Sequence, residues 1–216
     1  MLAALLVTAA LRAHTFRAVR SVFYVVVVTL GVLSMGFQLL ASRLLNPHFG
    51  SSIIVWAWLI STFLAAFSVG SITGGWISHL SAGPRHRAER VAAFVAVLSL
   101  AVTALAGRSL LGWIEETLLN PNTALLVSCV GLFFVPVAAL SCFGPLSVQL
   151  LASQGVPPGK ASGLIYGIST LGNIAGVMLT AFVLIPNARV STLLLVWLGV
   201  AVVGLAVLLN LLRRSP

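Results

Sequence analysis

The sequence predicts an all-α fold, a polytopic transmembrane bundle of six helices. Three observations carry that expectation. The chain is 60% hydrophobic and only 7% charged, with a mean hydropathy of +1.14, whereas soluble domains carry about 25% charged residues. A soluble chain of 216 residues turns most of its surface to water and has no place to hide so much apolar area. The apolar residues also fall into six runs, near 21–45, 53–80, 89–107, 122–153, 161–186 and 190–212, each about the 20 residues that a bilayer core requires. Finally, the basic residues between these runs sort by side, as they do in membrane proteins whose orientation follows their loop charges.

Residues 1–20, "MLAALLVTAALRAHTFRAVR", hold an apolar stretch too short to span, followed by Arg12, Arg17 and Arg20. A signal peptide has the opposite order, so the segment reads as an interfacial lead-in helix or a frayed cytoplasmic tail. The first span, which follows, is expected to stop at Asn46-Pro47, and Gly50-Ser51-Ser52 to open the second. Trp56 and Trp58 suit an interfacial aromatic belt. The stretch "GGWISHLSAGPRHRAER" (74–90) reads as a basic loop, with His79 as a polar cap and His86 in solvent. The segment "AGRSLLGWIEETLLNPN" reads as an external loop with a short amphipathic helix around Trp113. Pro136 and Pro145 lie inside the long fourth run, where each removes a backbone donor and invites a kink. The domain division is thus a 1–20 lead-in, a 21–212 six-helix domain and a 213–216 cytoplasmic tail.

Twelve Lys and Arg stand against three acids, Glu89, Glu115 and Glu116. With the N-terminus inside, one face receives Arg12, Arg17, Arg20, Arg85, Arg87, Arg90, Lys160, Arg213 and Arg214, and the other only Arg43, Arg108 and Arg189. The bias puts both termini in the cytoplasm and the chain in a cell (inner) membrane. A pI near 11.6 therefore reports topology and not nucleic acid, since no basic block is interleaved with aromatics. Cys129 and Cys142 share one apolar run and read as buried thiols. No metal-ligand spacing or nucleotide-binding glycine pattern is present, so no metal and no cofactor is expected. An intramembrane enzyme is disfavoured, because no acid falls well inside a run and no base accompanies Ser141 or Ser169.

The candidate substrate-binding residues are Gln38, Arg43, Gln149, Tyr166, Ser169, Thr170 and Asn173. Arg43, one turn from the end of its span, either snorkels to the headgroups or faces a cavity. Gln38 is its polar neighbour deeper in the membrane. Tyr166, Ser169, Thr170 and Asn173 follow an i, i+3, i+4, i+7 pattern that forms one helical stripe, which Gln149 could face. Such a stripe either bonds helices together or lines a midplane cavity. The pairs Gly70/Gly74, Gly163/Gly167 and Gly172/Gly176, each four residues apart, mark helices that pack closely.

Three stretches, "SRLLNPHFGSSIIVW" (42–56), "SGLIYGISTLGNIAG" (162–176) and "FVLIPNARVSTLLL" (182–195), resemble in order the membrane region of the fused major-facilitator/spermidine-synthase family. Residues 74–90 resemble the loop between helices two and three of the major facilitator superfamily, without its acid near Ser78 or His79. The resemblance implies half of a facilitator fold, built of two inverted three-helix repeats and completed by a homo-oligomer or a similar membrane half-unit. It implies a small-molecule transporter half-unit acting as a dimer or, alternatively, a non-transporting anchor for a separate soluble synthase-like enzyme. Polyamine is the cargo that the family name suggests, yet a polycation needs anionic partners in a low dielectric. All three acids are glutamates, so the chain lacks the aspartates of an aminopropyltransferase site and is not expected to be an enzyme. Its expected partners are the lipid bilayer and its own kind, with no nucleic acid.

Overall fold

The computed structural model describes the backbone of residues 2–213 and the side chains of residues 21–213. It contains six helices long and apolar enough to cross a membrane, and no strand among the described residues. They are α1 (Leu2–Phe49), α2 (Ile53–Ser78), α3 (Ala82–Thr117), α4 (Pro121–Ser153), α5 (Pro158–Asn187) and α6 (Val190–Arg213). The chain is a multi-pass integral membrane protein, and an even number of crossings puts both ends of the bundle's chain on one side. In α1 the apolar span is Ser21–Phe49. The side chains of Arg12, Arg17, Arg20 and Arg214 lie outside the described residues.

The connections are shorter than the sequence suggests. Pro47 does not stop α1, which continues to Phe49. The stop is Gly50, whose φ of +71° is open to glycine and costly for residues with a Cβ. Ser52 then caps α2, its Oγ accepting from the Val55 amide at 3.3 Å. The expected basic loop of residues 74–90 shrinks to residues 79–81, because α3 begins at Ala82. At its other end α3 runs on to Thr117, so the helix around Trp113 is a continuation of the span and not a separate element. Leu111 and Ile114 are buried there while Trp113 is exposed. Exposed Trp76, near the end of α2, lies toward the opposite end of the bundle from Trp113, as two interfacial anchors would.

Prolines shape α4 and α5. A π-helical turn at Val130–Phe134 precedes Pro136, and another at Thr180–Leu184 precedes Pro186. Each widens the helix just where a proline ring would press on the preceding turn. The expected kink of the fourth span thus takes the form of a π turn, with a second break at Cys142 ahead of Pro145.

The packing interleaves two triplets of helices. Helix α1 packs against α5 and α6, α4 packs against α2 and α3, and α3 meets α6. Exchanging α1–α3 with α4–α6 leaves this pattern unchanged. Both main seams are built by glycines at four-residue spacing. A Cβ on Gly172 or Gly176 would strike the Val28 or Val32 carbonyl of α1, and one on Gly70 or Gly74 the Ala138 or Cys142 carbonyl of α4. The numbers rise together, so α1 runs parallel to α5 and α2 parallel to α4. A Cβ on Gly163 or Gly167, by contrast, would meet no neighbouring helix within 4 Å. Phe37, Phe63 and Phe133 centre the core, with Phe37 at 5.9 Å from each of the other two rings. Cys129 and Cys142 are buried and unpaired.

Candidate functional site: a hydroxyl-lined cavity

Where α1, α2, α4 and α5 diverge, they leave a cavity of about 230 Å³. Its deepest polar residues, Ser34 and Asn173, lie near the middles of α1 and α5, while Ser71, Ser141, Ser147 and Tyr166 carry it toward the end of the bundle that bears Arg85. The floor is apolar, with Val27, Leu30, Phe67, Leu140 and Ile165. No charged side chain lines it.

The hydrogen bonds around the wall have a consistent direction. Ser34 Oγ donates to the Leu30 carbonyl at 2.8 Å, Ser141 Oγ to Val137 at 2.7 Å and Thr170 Oγ1 to Tyr166 at 2.7 Å. Serine and threonine hydroxyls in apolar helices bond back in this way to the carbonyl a turn earlier. Asn173 Oδ1 is buried without a hydrogen-bond partner. It comes close to Gly31, which has no side chain to push it away.

Of the residues singled out in the sequence, Tyr166, Ser169, Thr170 and Asn173 come together on this wall as one stripe. Gln149 does not face it. Ser147 lines the cavity, and two residues further on the helix has turned by about 200°, so Gln149 points to the opposite side. Gln38 is half-buried one turn beyond Ser34, and Arg43 is exposed six residues before the end of the span; neither lines the cavity. Ser34, Ser71, Ser141 and Ser147 were not anticipated. Ser34, Ser141 and Ser147 are isolated hydroxyls in apolar runs, and Ser71 shares its run with Ser68 and Thr73 without the four-position stripe seen on α5.

A second polar cluster lies at the end of the bundle bearing Arg85. Glu89, expected at the edge of the third span beside a solvated loop, is on the second turn of α3 and only 1% exposed. His86 is not a solvent residue, since its Nδ1 lies 2.9 Å from Glu89 Oε2, and Arg85 Nε lies 3.5 Å from Oε1. Beside them Gln149 and Ser153 of α4 and Leu212 of α6 enclose a space of about 10 Å³, enough for about one water. His79, expected as a polar cap, is the C-cap residue of α2, its backbone N–H donating to the Trp76 carbonyl at 3.2 Å and its side chain exposed. The carboxylate at this junction therefore comes from α3. At the other end His48 Nδ1 of α1 bonds Glu115 Oε2 of α3 at 2.7 Å. No group of three or more His, Cys, Asp or Glu that could hold a metal occurs among the described residues.

No protein-family model, curated protein or solved structure matches the chain.

Proposed function

We propose that this chain is half of a small-molecule transporter, two copies of which close around the hydroxyl-lined cavity. The observation that carries the reading is a polar cavity, open on one flank, in a bundle that otherwise turns apolar side chains outward. On α3 the outward face is Val91, Phe94, Leu98 and Leu105, and on α6 it is Leu195, Val196 and Val203, a surface suited to lipid. The cavity side of α5 is different: Tyr166 and Thr170 are exposed beside the uncovered Gly163 and Gly167. Helix α2, which lines the cavity through Phe67 and Ser71, also exposes Ser61, Ala65 and Ser68. Small residues let helices approach, and hydroxyls facing lipid gain from a partner. A second copy supplies both.

The resemblance to the facilitator region of the fused synthase family points the same way, as does the interchange of the two helix triplets. In this reading the basic ends lie in the cytoplasm and the cavity occupies the inner half of the membrane, by the nine-to-three distribution of Lys and Arg. Catalysis, aminopropyl transfer included, is not part of the proposal. Nor is a polyamine cargo, since no acid lines the cavity.

Uptake into proteoliposomes tests the reading. The expected result is passage of small neutral solutes that falls at least tenfold in Asn173→Leu, with Gly167→Cys chains cross-linking between copies. Purified chains that remain monomeric and pass nothing, while capturing a soluble synthase-like enzyme on their basic loops, would instead support an anchoring role.

A further inference from the structure

The class of ligand can be read from which partner of each hydrogen bond the cavity still lacks, taking the cavity as the binding site proposed above. A hydroxyl has one proton and two lone pairs. Ser34, Ser141 and Thr170 have already given their protons to carbonyls of their own helices, so each turns only lone pairs inward. Asn173 also borders the cavity, but its Oδ1 is buried against Gly31 without a partner and is not among the acceptors open to a ligand. These three hydroxyl oxygens come from three helices and border one space. Ser71, Ser147, Ser169 and Tyr166 can donate or accept and so set no preference.

We infer that the cavity binds a compact, uncharged molecule bearing several O–H or N–H donors, such as a polyol. An anion would find no Lys, Arg or His on the wall and three hydroxyls whose protons are already given away. A polyamine would meet oxygens of the right polarity and no carboxylate to offset its desolvation. The size agrees, since about 230 Å³ falls below the roughly 300 Å³ at which pockets for drug-sized ligands begin. The apolar floor of Val27, Leu30 and Ile165 would hold the carbon skeleton.

The test is thermal stabilisation of the full chain in detergent by three probes: myo-inositol, malate and putrescine. Myo-inositol is expected to raise the melting temperature in a saturable way, and malate and putrescine to leave it unchanged. Thr170→Val, at an exposed rim position that tolerates change, should weaken the inositol effect about tenfold, and Thr170→Ser should restore it. Stabilisation by malate or putrescine in place of inositol overturns the inference, as does an inositol effect indifferent to Thr170→Val. Parallel uptake assays keep the two readings apart. Inositol binding without uptake removes the transport reading and leaves this one, whereas uptake of malate alone removes this one and leaves transport.

Discussion

Thr103 of α3 donates from Oγ1 to the carbonyl oxygen of Leu132 in α4, at 2.7 Å and fully buried. Leu132 is four residues before Pro136, and a proline has no amide proton to return to that carbonyl. A side chain from a neighbouring span thus supplies the bond that the proline withholds, which is how membrane helices tolerate such breaks. Thr103→Val keeps the shape and removes the donor, so it should destabilise the bundle by about 1–3 kcal/mol, with Thr103→Ser near wild type. The loss should shrink in a Pro136→Ala background, where the backbone can donate for itself. A double-mutant cycle of thermal or denaturant unfolding in detergent measures that coupling, and strictly additive effects would contradict the account.

The glycines divide into two groups with opposite expected behaviour. Gly74 and Gly176 lie against the carbonyls of Cys142 and Val32, backbone groups that have no rotamer by which to move aside. Gly74→Ala or Gly176→Ala should cost about 1–3 kcal/mol. Gly163→Ala and Gly167→Ala meet nothing within 4 Å in the single chain and should leave its unfolding unchanged. If a second copy covers α5, they will shift the dimer equilibrium without altering the melting of the monomer. Sedimentation in detergent beside unfolding curves separates the two effects.

The spans were legible because lipid demands long apolar runs, and the ends of α2, α4, α5 and α6 fall within a few residues of expectation. The polar stripe on α5 was legible because Tyr166, Ser169, Thr170 and Asn173 share a helical period. Other features lie outside what local pattern encodes. Pro47 looks like a terminator, yet it lies in the last turn of α1 and Gly50 ends the helix. The string around Glu89 is rich in arginine and reads as solvated, and only the arrival of α4 and α6 buries it. The cavity serines are the hardest case. A hydroxyl bonded back to its own helix is acceptable anywhere in lipid, so Ser34 and Ser141 gain meaning only when the tertiary fold brings them to a common space.

Trp197 provides a check on the seam between α1 and α6. Its indole Nε1 donates to the Leu33 carbonyl at 3.1 Å, and its ring lies over Gly36, where Thr180 also approaches. The absent side chain at residue 36 is the space the indole occupies. Trp197→Phe keeps most of the packing and loses one bond, worth about 1 kcal/mol. Trp197→Ala empties the site and should cost about 3–5 kcal/mol. Gly36→Ala should resemble the alanine variant more than the phenylalanine one, because it displaces the ring altogether. Unfolding monitored by circular dichroism ranks the three, and a harmless Gly36→Ala would show that the seam is looser than described.

Glu89 and Arg85 form the remaining test, because changing one of them should cost far more than changing both. The Glu89 side chain is 1% exposed and that of Arg85 17%, so the carboxylate depends on its neighbours while the guanidinium keeps some access to polar surroundings. Removing Arg85 leaves a buried anion with only His86 beside it, and Arg85→Ala should cost about 3 kcal/mol, the lower end for a broken buried pair given the partial exposure. Glu89→Gln retains a polar group toward His86 and should cost less. Replacing both, as Glu89→Leu with Arg85→Leu, removes the desolvation penalty along with the attraction and should restore stability to within about 1 kcal/mol of the parent. The comparison is read from unfolding of the four proteins in one detergent. A double variant as unstable as Arg85→Ala would mean that the cluster holds α3, α4 and α6 together through bonds that apolar packing does not replace.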